Sequence, residues 1–451
     1  MKCRFRRVIN SAKFFLYTQV AVAVQSSDEV SAGMRNRSSR PSGQELRRNT
    51  EMSTRSMVLM LMTAASMGSA HAWDSYEHSE VGDAAFLFAI AALDTDAPGT
   101  SAKLLSQPHL ASDVDRGVSI SAVVDGKEVT NHKNEVVQFS FGDLVAIYGD
   151  YAVGFTDVND ADFGKRAASL KQIVRGGRVS DFPDELKILL SLAEHNASHF
   201  SLRAAQAYVK NHRQALLLAP QQDRLWQALH YEALALHSFT DDFALGHMLE
   251  SRESNNQLVA WTRNVRSPTK RILMARIGTA FTGGLVNFYH NAYNWKGGMM
   301  ENIAGDSWRG FGDKRYRIVD QSCVEKSKIG KRNCSDSMTQ RQREAIVRAA
   351  ATSILKVLWV ASGKSLTAGQ EYAAMCQLPV RYWDTYAPLE PENQMAEILK
   401  LATEMRNAGR SIEDGFDFSL GILKYRRTKK EGVVDYIDYV AQHCGRNLPA
   451  R

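Results

Sequence analysis

Apolar residues return every three to four positions through most of the chain beyond residue 73, the period of a helix with one buried face. The runs DAAFLFAIAAL (83–93), LKILLSLAEHNASHF (186–200) and AAQAYVKNHRQALLLA (204–219) predict helices. DRLWQALHYEALALHSFTDDFALGHM (223–248) reads as one long helix. RILMARIGTAFTGGLVNFYHNAYNW (271–295) is helical with a Gly-Gly interruption, and helices return over 341–362 and 392–409. The stretch 118–141 differs: β-rich segments flank Asp125-Gly126, a hairpin turn signal. Residues 251–269 read as a polar loop and 305–340 as a Gly- and charge-rich one. The expected fold is mainly α: a multi-helix bundle with a small β-hairpin insertion.

One feature conflicts with a purely structural helix. LHSFTDDFALGHM (236–248) places two histidines and two aspartates among Leu234, Leu236, Phe239 and Phe243. A buried carboxylate without a partner costs several kcal/mol, and coordination of a cation is one recognised relief. His237 and Asp241 lie four apart and share a helix face. On a continuous helix His247 falls roughly 80° round from His237, beside that pair and suited to a second ion. His195 and His199 are again four apart, and His290 follows in FYHNAYNW.

Charge changes the picture at one end. The chain of 451 residues carries a formal +7; of 56 Lys and Arg, 11 lie in residues 1–72, leaving 45, and of 49 Asp and Glu, 4 lie there, leaving 45. Residues 73–451 are therefore neutral, which removes the bulk electrostatic case for nucleic-acid binding. Residues 52–72 (MSTRSMVLMLMTAASMGSAHA) have the positive start, apolar stretch and A-x-A end of a signal peptide, too short to span a bilayer. Residues 1–51 then read as an upstream, disordered extension, with FFLYTQVAVAV (14–24) as an alternative signal or anchor. The expectation is export before Trp73, to the periplasm or exterior of a bacterial cell, without a transmembrane segment in the mature chain. Cleavage there would give Trp73 a free α-amino group, which can chelate a cation together with its carbonyl oxygen. Cys323, Cys334, Cys376 and Cys444 then form an even set in an oxidising compartment. They allow three pairings; the short loop favours Cys323 with Cys334, leaving Cys376 with Cys444.

These residues together resemble the superfamily of zinc-dependent bacterial phospholipases C and fungal single-strand nucleases. The similarity rests on Trp73 with His78, on the H-x3-D-x5-H run of His237, Asp241 and His247, on His199 in SHF, and on His290. An Asp is expected between the first two regions; Asp150 (YGDY) and Asp143 (FGDL) both qualify, with Asp150 preferred. The resemblance implies two or three Zn2+ ions. One would be held by Asp150, His199, His237 and Asp241, a second by His247 and His290, and a third by Trp73, His78 and a bridging Asp241. It also implies that Asp150 accepts a proton in catalysis. The acidic partner expected after the late histidine is Asn294 here, a neutral ligand at most, while His195 is left with an outer or packing role. The implied domain plan is an all-α catalytic unit over 73–320 and a helical extension over 321–451. The implied activity is phosphodiester hydrolysis at a phospholipid surface. Single-strand nuclease action and non-catalytic metal or lipid binding are the competing readings.

Overall fold

The computed structural model describes residues 75–131, 133–160, 162–195, 197–249, 297–312, 337–367, 369–383 and 433–444. Trp73, His290, Asn294, Cys323, Cys334 and the expected helices over 271–295 and 392–409 lie outside the described residues. So does the whole of 1–72, with the signal-peptide reading. What is described is mainly helical with small sheets.

Helix α1 (Ser75–Asp96) carries its apolar residues at Val81, Ala85, Phe86, Ala89 and Leu93, a stripe of three- and four-residue steps that is buried along its length. After the short α2 (Thr100–Leu105), strands β1 (Leu110–Asp113) and β2 (Gly117–Ser121) pair antiparallel, and β5 (Gln138–Ser140) joins β2 to complete a three-stranded sheet. Between them β3 (Val123–Val124) and β4 (Lys127–Glu128) form a two-stranded ribbon. Asp125 and Gly126 turn it, both with positive φ, 49° and 75°, as a tight turn of that hand requires.

Strand β5 feeds directly into α3 (Phe141–Ile147), which is buried throughout. Its start is fixed by a capping box: Ser140 Oγ accepts from the Asp143 amide at 3.0 Å and Asp143 Oδ2 accepts from the Ser140 amide at 3.3 Å. Helices α1 and α3 cross at two glycines. A Cβ on Gly82 would come within 2.6 Å of Gly142 Cα, so neither position has room for a side chain. That close crossing brings the first turns of α1 beside the end of α3.

The short α4 (Phe155–Val158) and the helix α5 (Phe163–Val174) lead to α6 (Pro183–His195), a 3-10 turn at Ala197–His199, α7 (Ser201–Leu218) and α8 (Leu225–Asp241). Helices α7 and α8 pack along each other, and α8 also touches α3. The sequence predicts one helix over 223–248; the chain instead leaves the helix after Asp241. The amides of Phe243 and Ala244 bond to the carbonyls of Thr240 and Asp241, three residues back, and α9 (Leu245–Leu249) starts anew. The apolar pattern runs on through Phe243, Leu245 and Met248 because residues 235–249 are buried on all sides.

The region read as loop from residue 305 contains a strand. Strand β6 (Gly298–Asn302) pairs antiparallel with β7 (Ser307–Gly310) on one side and with β8 (Pro379–Trp383) on the other. The strands are four or five residues long, too short for their alternation to stand out among turn residues. Helix α10 (Ser337–Ala361) lies against α1, α8 and β7. Its buried stripe is Ala345, Ile346, Ala349, Ala350, Ile354, Val357 and Leu358. Each large apolar side chain removed from water there contributes about 1.5–3 kcal/mol.

Two polar links tie α10 in. Gln342, fully buried, accepts from the Phe311 amide at 3.2 Å and donates to the carbonyls of Phe311 at 2.9 Å and Phe243 at 3.3 Å. Ser353 Oγ donates to Glu232 of α8, which also pairs with His212 of α7 at 2.6 Å, while His212 Nε2 reaches the Glu371 carbonyl at 2.9 Å. Residues 337–383 thus share one core with the earlier helices. Cys376 and Cys444 sit at disulfide distance and join the 3-10 turn Ala373–Gln377 to the helix over 433–444. Among the described residues no helix is long and apolar enough to cross a membrane.

Candidate metal centre

Four elements deliver the polar groups of the core. Helix α1 contributes His78, the loop after α3 contributes Asp150, the 3-10 turn before α7 contributes His199, and α8 contributes His237 and Asp241. All five are at least nine-tenths buried. In the set His78, His237 and Asp241 one ligand atom from each lies within 4.8 Å of the others, and the same holds for Asp150, His199 and His237. His78 Nε2 approaches Asp241 Oδ1 at 3.3 Å, and His199 Nδ1 approaches Asp241 Oδ2 at 3.1 Å. His237 Nε2 stands 3.8 Å from the same Oδ2 and 3.4 Å from His199 Nδ1. His247, from α9, is completely buried with Nδ1 3.8 Å from Asp241 Oδ2.

The tautomers follow from the partners of each Nδ1. The His237 Nδ1–H donates to the Val145 carbonyl at 2.8 Å, one of the carbonyls that the end of α3 leaves without a helical partner. The His247 Nδ1–H donates to the His199 carbonyl at 2.6 Å. The His78 Nδ1–H donates to Thr240 Oγ1 at 3.0 Å, whose own proton goes to the carbonyl of Leu236 or His237. Each ring therefore keeps its Nε2 lone pair, the arrangement by which an outer hydrogen bond orients a metal-binding imidazole. Phe200 stacks on the His247 ring with centroids 4.3 Å apart.

These donors fit a divalent cation. Neither oxygen of Asp241 accepts a hydrogen bond from the described residues, although both are sealed from solvent. Lone pairs face lone pairs across the cluster, which is repulsive without a positive centre between them. Gly149, at φ 86°, gives a second sign: a Cβ there would fall against Cδ2 and Nε2 of His237 and 2.7 Å from His199 Nε2, so the glycine leaves open the space those nitrogens face. Nitrogen and carboxylate ligands of this kind suit a divalent metal ion.

The electrostatics agree. Burial pushes the Asp241 carboxyl up, but the surrounding imidazoles outweigh it and hold it well below the usual range. Burial, reinforced by the neighbouring imidazoles, brings His237 down to about 3, so it is neutral. Burial also opposes protonation of His78, yet the Asp241 carboxylate beside its ring, with Asp150 and Glu77 behind it, leaves its pKa raised. The cluster attracts positive charge. Next to it, burial and the charge of Asp241 push Asp242 well above the carboxylate range.

Of the two acidic candidates, Asp150 joins the cluster; Ser75 Oγ donates to its Oδ2 at 2.7 Å. Asp143 faces elsewhere: besides its role in the α3 cap it pairs with Arg175 at 2.8 Å and Arg116 at 3.2 Å, and Arg116 also reaches Asp83 at 3.1 Å. His195 ends α6, and its side chain lies outside what is described. His230 is buried against Tyr148, whose hydroxyl lies 2.8 Å from its Nδ1, and burial lowers it to about 4. Ser75, Val145, Gly149, Phe200 and Thr240 were not singled out from the sequence for any role toward the ligands. Ser75 gave a signal through its place two residues after Trp73, and Phe200 through its place in the SHF motif; the others act through contacts made by the fold. Family models, curated proteins and solved structures offer no match to this chain.

Proposed function

We propose that the chain is an exported, zinc-dependent phosphodiesterase acting on phospholipid, a phospholipase C releasing diacylglycerol and a phosphorylated head group. The observation that carries this reading is the buried convergence of His78, His199, His237, Asp150 and Asp241, with the Nδ1 protons of His78 and His237 directed outward to Thr240 and Val145. His247 stands beside them. Divalent ions held there would supply Lewis-acid polarisation of a phosphoryl oxygen and of water, the chemistry that phosphate-ester hydrolysis needs.

The chain's own residues supply the rest. Asp241 keeps its negative charge and offsets part of the charge of the ions. The Nδ1–H bonds to Val145, His199 and Thr240 orient three imidazoles so that Nε2 is the atom each would offer to a cation. Asp150, fixed through its Oδ2 by Ser75, is the carboxylate we assign to accept a proton from water. Burial of the cluster excludes bulk water and strengthens each of these interactions. Phospholipid is preferred over single-stranded nucleic acid because 73–451 is charge-neutral, whereas a nuclease groove needs a basic track along the phosphates. Zn2+ completes the assignment through the resemblance of the ligand pattern, with Trp73 and His290 as the further ligands it implies.

The test is hydrolysis of phosphatidylcholine vesicles and of single-stranded DNA in parallel, before chelation, after it, and after return of zinc chloride. Lipid hydrolysis lost with the chelator and restored by zinc is expected. Cleavage of DNA alone would change the substrate assignment, and full activity of metal-free protein would overturn the reading.

A further inference from the structure

Three ring nitrogens at the cluster are turned outward by acceptors, but the acceptors are not alike. His237 and His247 give their Nδ1 protons to main-chain carbonyls, of Val145 and His199. No substitution removes those oxygens. His78 gives its proton to a side chain, Thr240 Oγ1, at 3.0 Å. We infer that Thr240 is the positioning residue for His78, so that a divalent cation on the His78–Asp241 side of the cluster depends on one hydroxyl that the other side does not use.

Thr240 is 2% exposed and sits on α8 between two cluster residues, three after His237 and one before Asp241. Its hydroxyl proton is committed back along the helix, to the Leu236 carbonyl at 2.9 Å or the His237 carbonyl at 3.1 Å. The oxygen can therefore only accept from His78, which excludes the tautomer with a proton on Nε2. A β-branched residue in a helix has a stiff χ1, so the acceptor holds its place. His78 arrives from a different helix and stacks on His237 with ring centroids 4.2 Å apart. Stacking fixes the plane of the ring but leaves open which nitrogen faces Asp241; the Thr240 bond decides it, with Nε2 3.3 Å from Asp241 Oδ1. One helix thus presents a carboxylate and orients the imidazole that shares a cation with it.

This inference rests on the reading that the cluster holds divalent ions. The test uses the full chain with zinc chloride as the probe. Thr240→Val keeps the shape and removes the acceptor; Thr240→Ser keeps the acceptor. Zinc per chain is read by elemental analysis, and affinity by competition with a chelator. Thr240→Val should release one zinc about 10–100-fold more readily, the range for loss of an outer hydrogen bond to a ligand. The remaining zinc should be unchanged, and Thr240→Ser should match the parent. Equal stoichiometry and affinity in Thr240→Val and parent would overturn the inference alone, whereas a parent that binds no zinc would overturn the cluster reading with it. Long-range 15N–1H NMR of the metal-free parent at pH 9 is independent of whether the variant folds. It should show the His78 proton on Nδ1; a proton on Nε2 would overturn the inference.

Discussion

Ser75 and Asp150 are 75 residues apart in sequence and joined by a buried hydrogen bond of 2.7 Å. The bond ties the first turn of α1 to the loop that carries an acidic ligand. Ser75→Ala should leave the fold intact and loosen Asp150, weakening zinc about 10–100-fold, as loss of an outer partner to a ligand does. Chelator competition on the variant reads this directly; an unchanged affinity would leave Ser75 a packing residue.

Gly149 is the position least able to change. At φ 86° alanine is strained by about 1–2 kcal/mol, and its methyl would meet both His237 and His199. Gly149→Ala should lose the ion of the Asp150–His199–His237 side while the far packing of α7 and α8 survives. Elemental analysis with circular dichroism separates loss of metal from loss of fold.

Asp83 supplies a pH dependence outside the cluster. Burial raises its pKa from 3.8 to about 6, against the Gly142 amide and Arg116 that favour its charged form. Between those values the folded state binds more protons than the unfolded one, so the contribution of Asp83 to stability falls as pH rises. Asp83→Asn should match the parent near pH 4 and gain on it up to pH 6, by at most about 3 kcal/mol. His230 acts in the opposite direction. Its pKa of about 4 means stability is lost as pH falls below 6.5, and that slope is common to parent and variant. Denaturant unfolding of both proteins across this range gives the difference; parallel curves would refute the assignment.

Glu232 holds His212 and Ser353 in a buried network joining α7, α8 and α10. Glu232→Ala leaves those partners stranded and should cost about 3–5 kcal/mol. For the same reason a chain ending at residue 320, which removes α10 and its apolar stripe, should not unfold cooperatively on heating. Calorimetry of the two proteins checks both expectations.

Much of this arrangement follows from local rules. His237 and Asp241 share a face because helical residues four apart do, and the stripes of α1 and α10 follow the same period. Other parts depend on distant chain. Nothing in 223–248 marks the break after Asp241, because Phe243, Leu245 and Met248 continue the apolar pattern into a segment buried all round. Choosing Asp150 over Asp143 depends on Arg116 and Arg175, which neutralise Asp143 from 27 and 32 residues away. The meeting of His78 and His199 with α8 is suggested only by resemblance, since no periodicity links residues 159 and 38 positions from His237. Thr240 and Gly149 are ordinary residues in sequence and matter only for what lies opposite them.

His199 offers its ring to the cluster and its carbonyl to the Nδ1 of His247. Any cation that draws the imidazole toward itself also shifts the oxygen that aims its neighbour. Occupancy of the two places is thereby linked through a single residue, and titration with zinc should rise more steeply than the sum of independent isotherms.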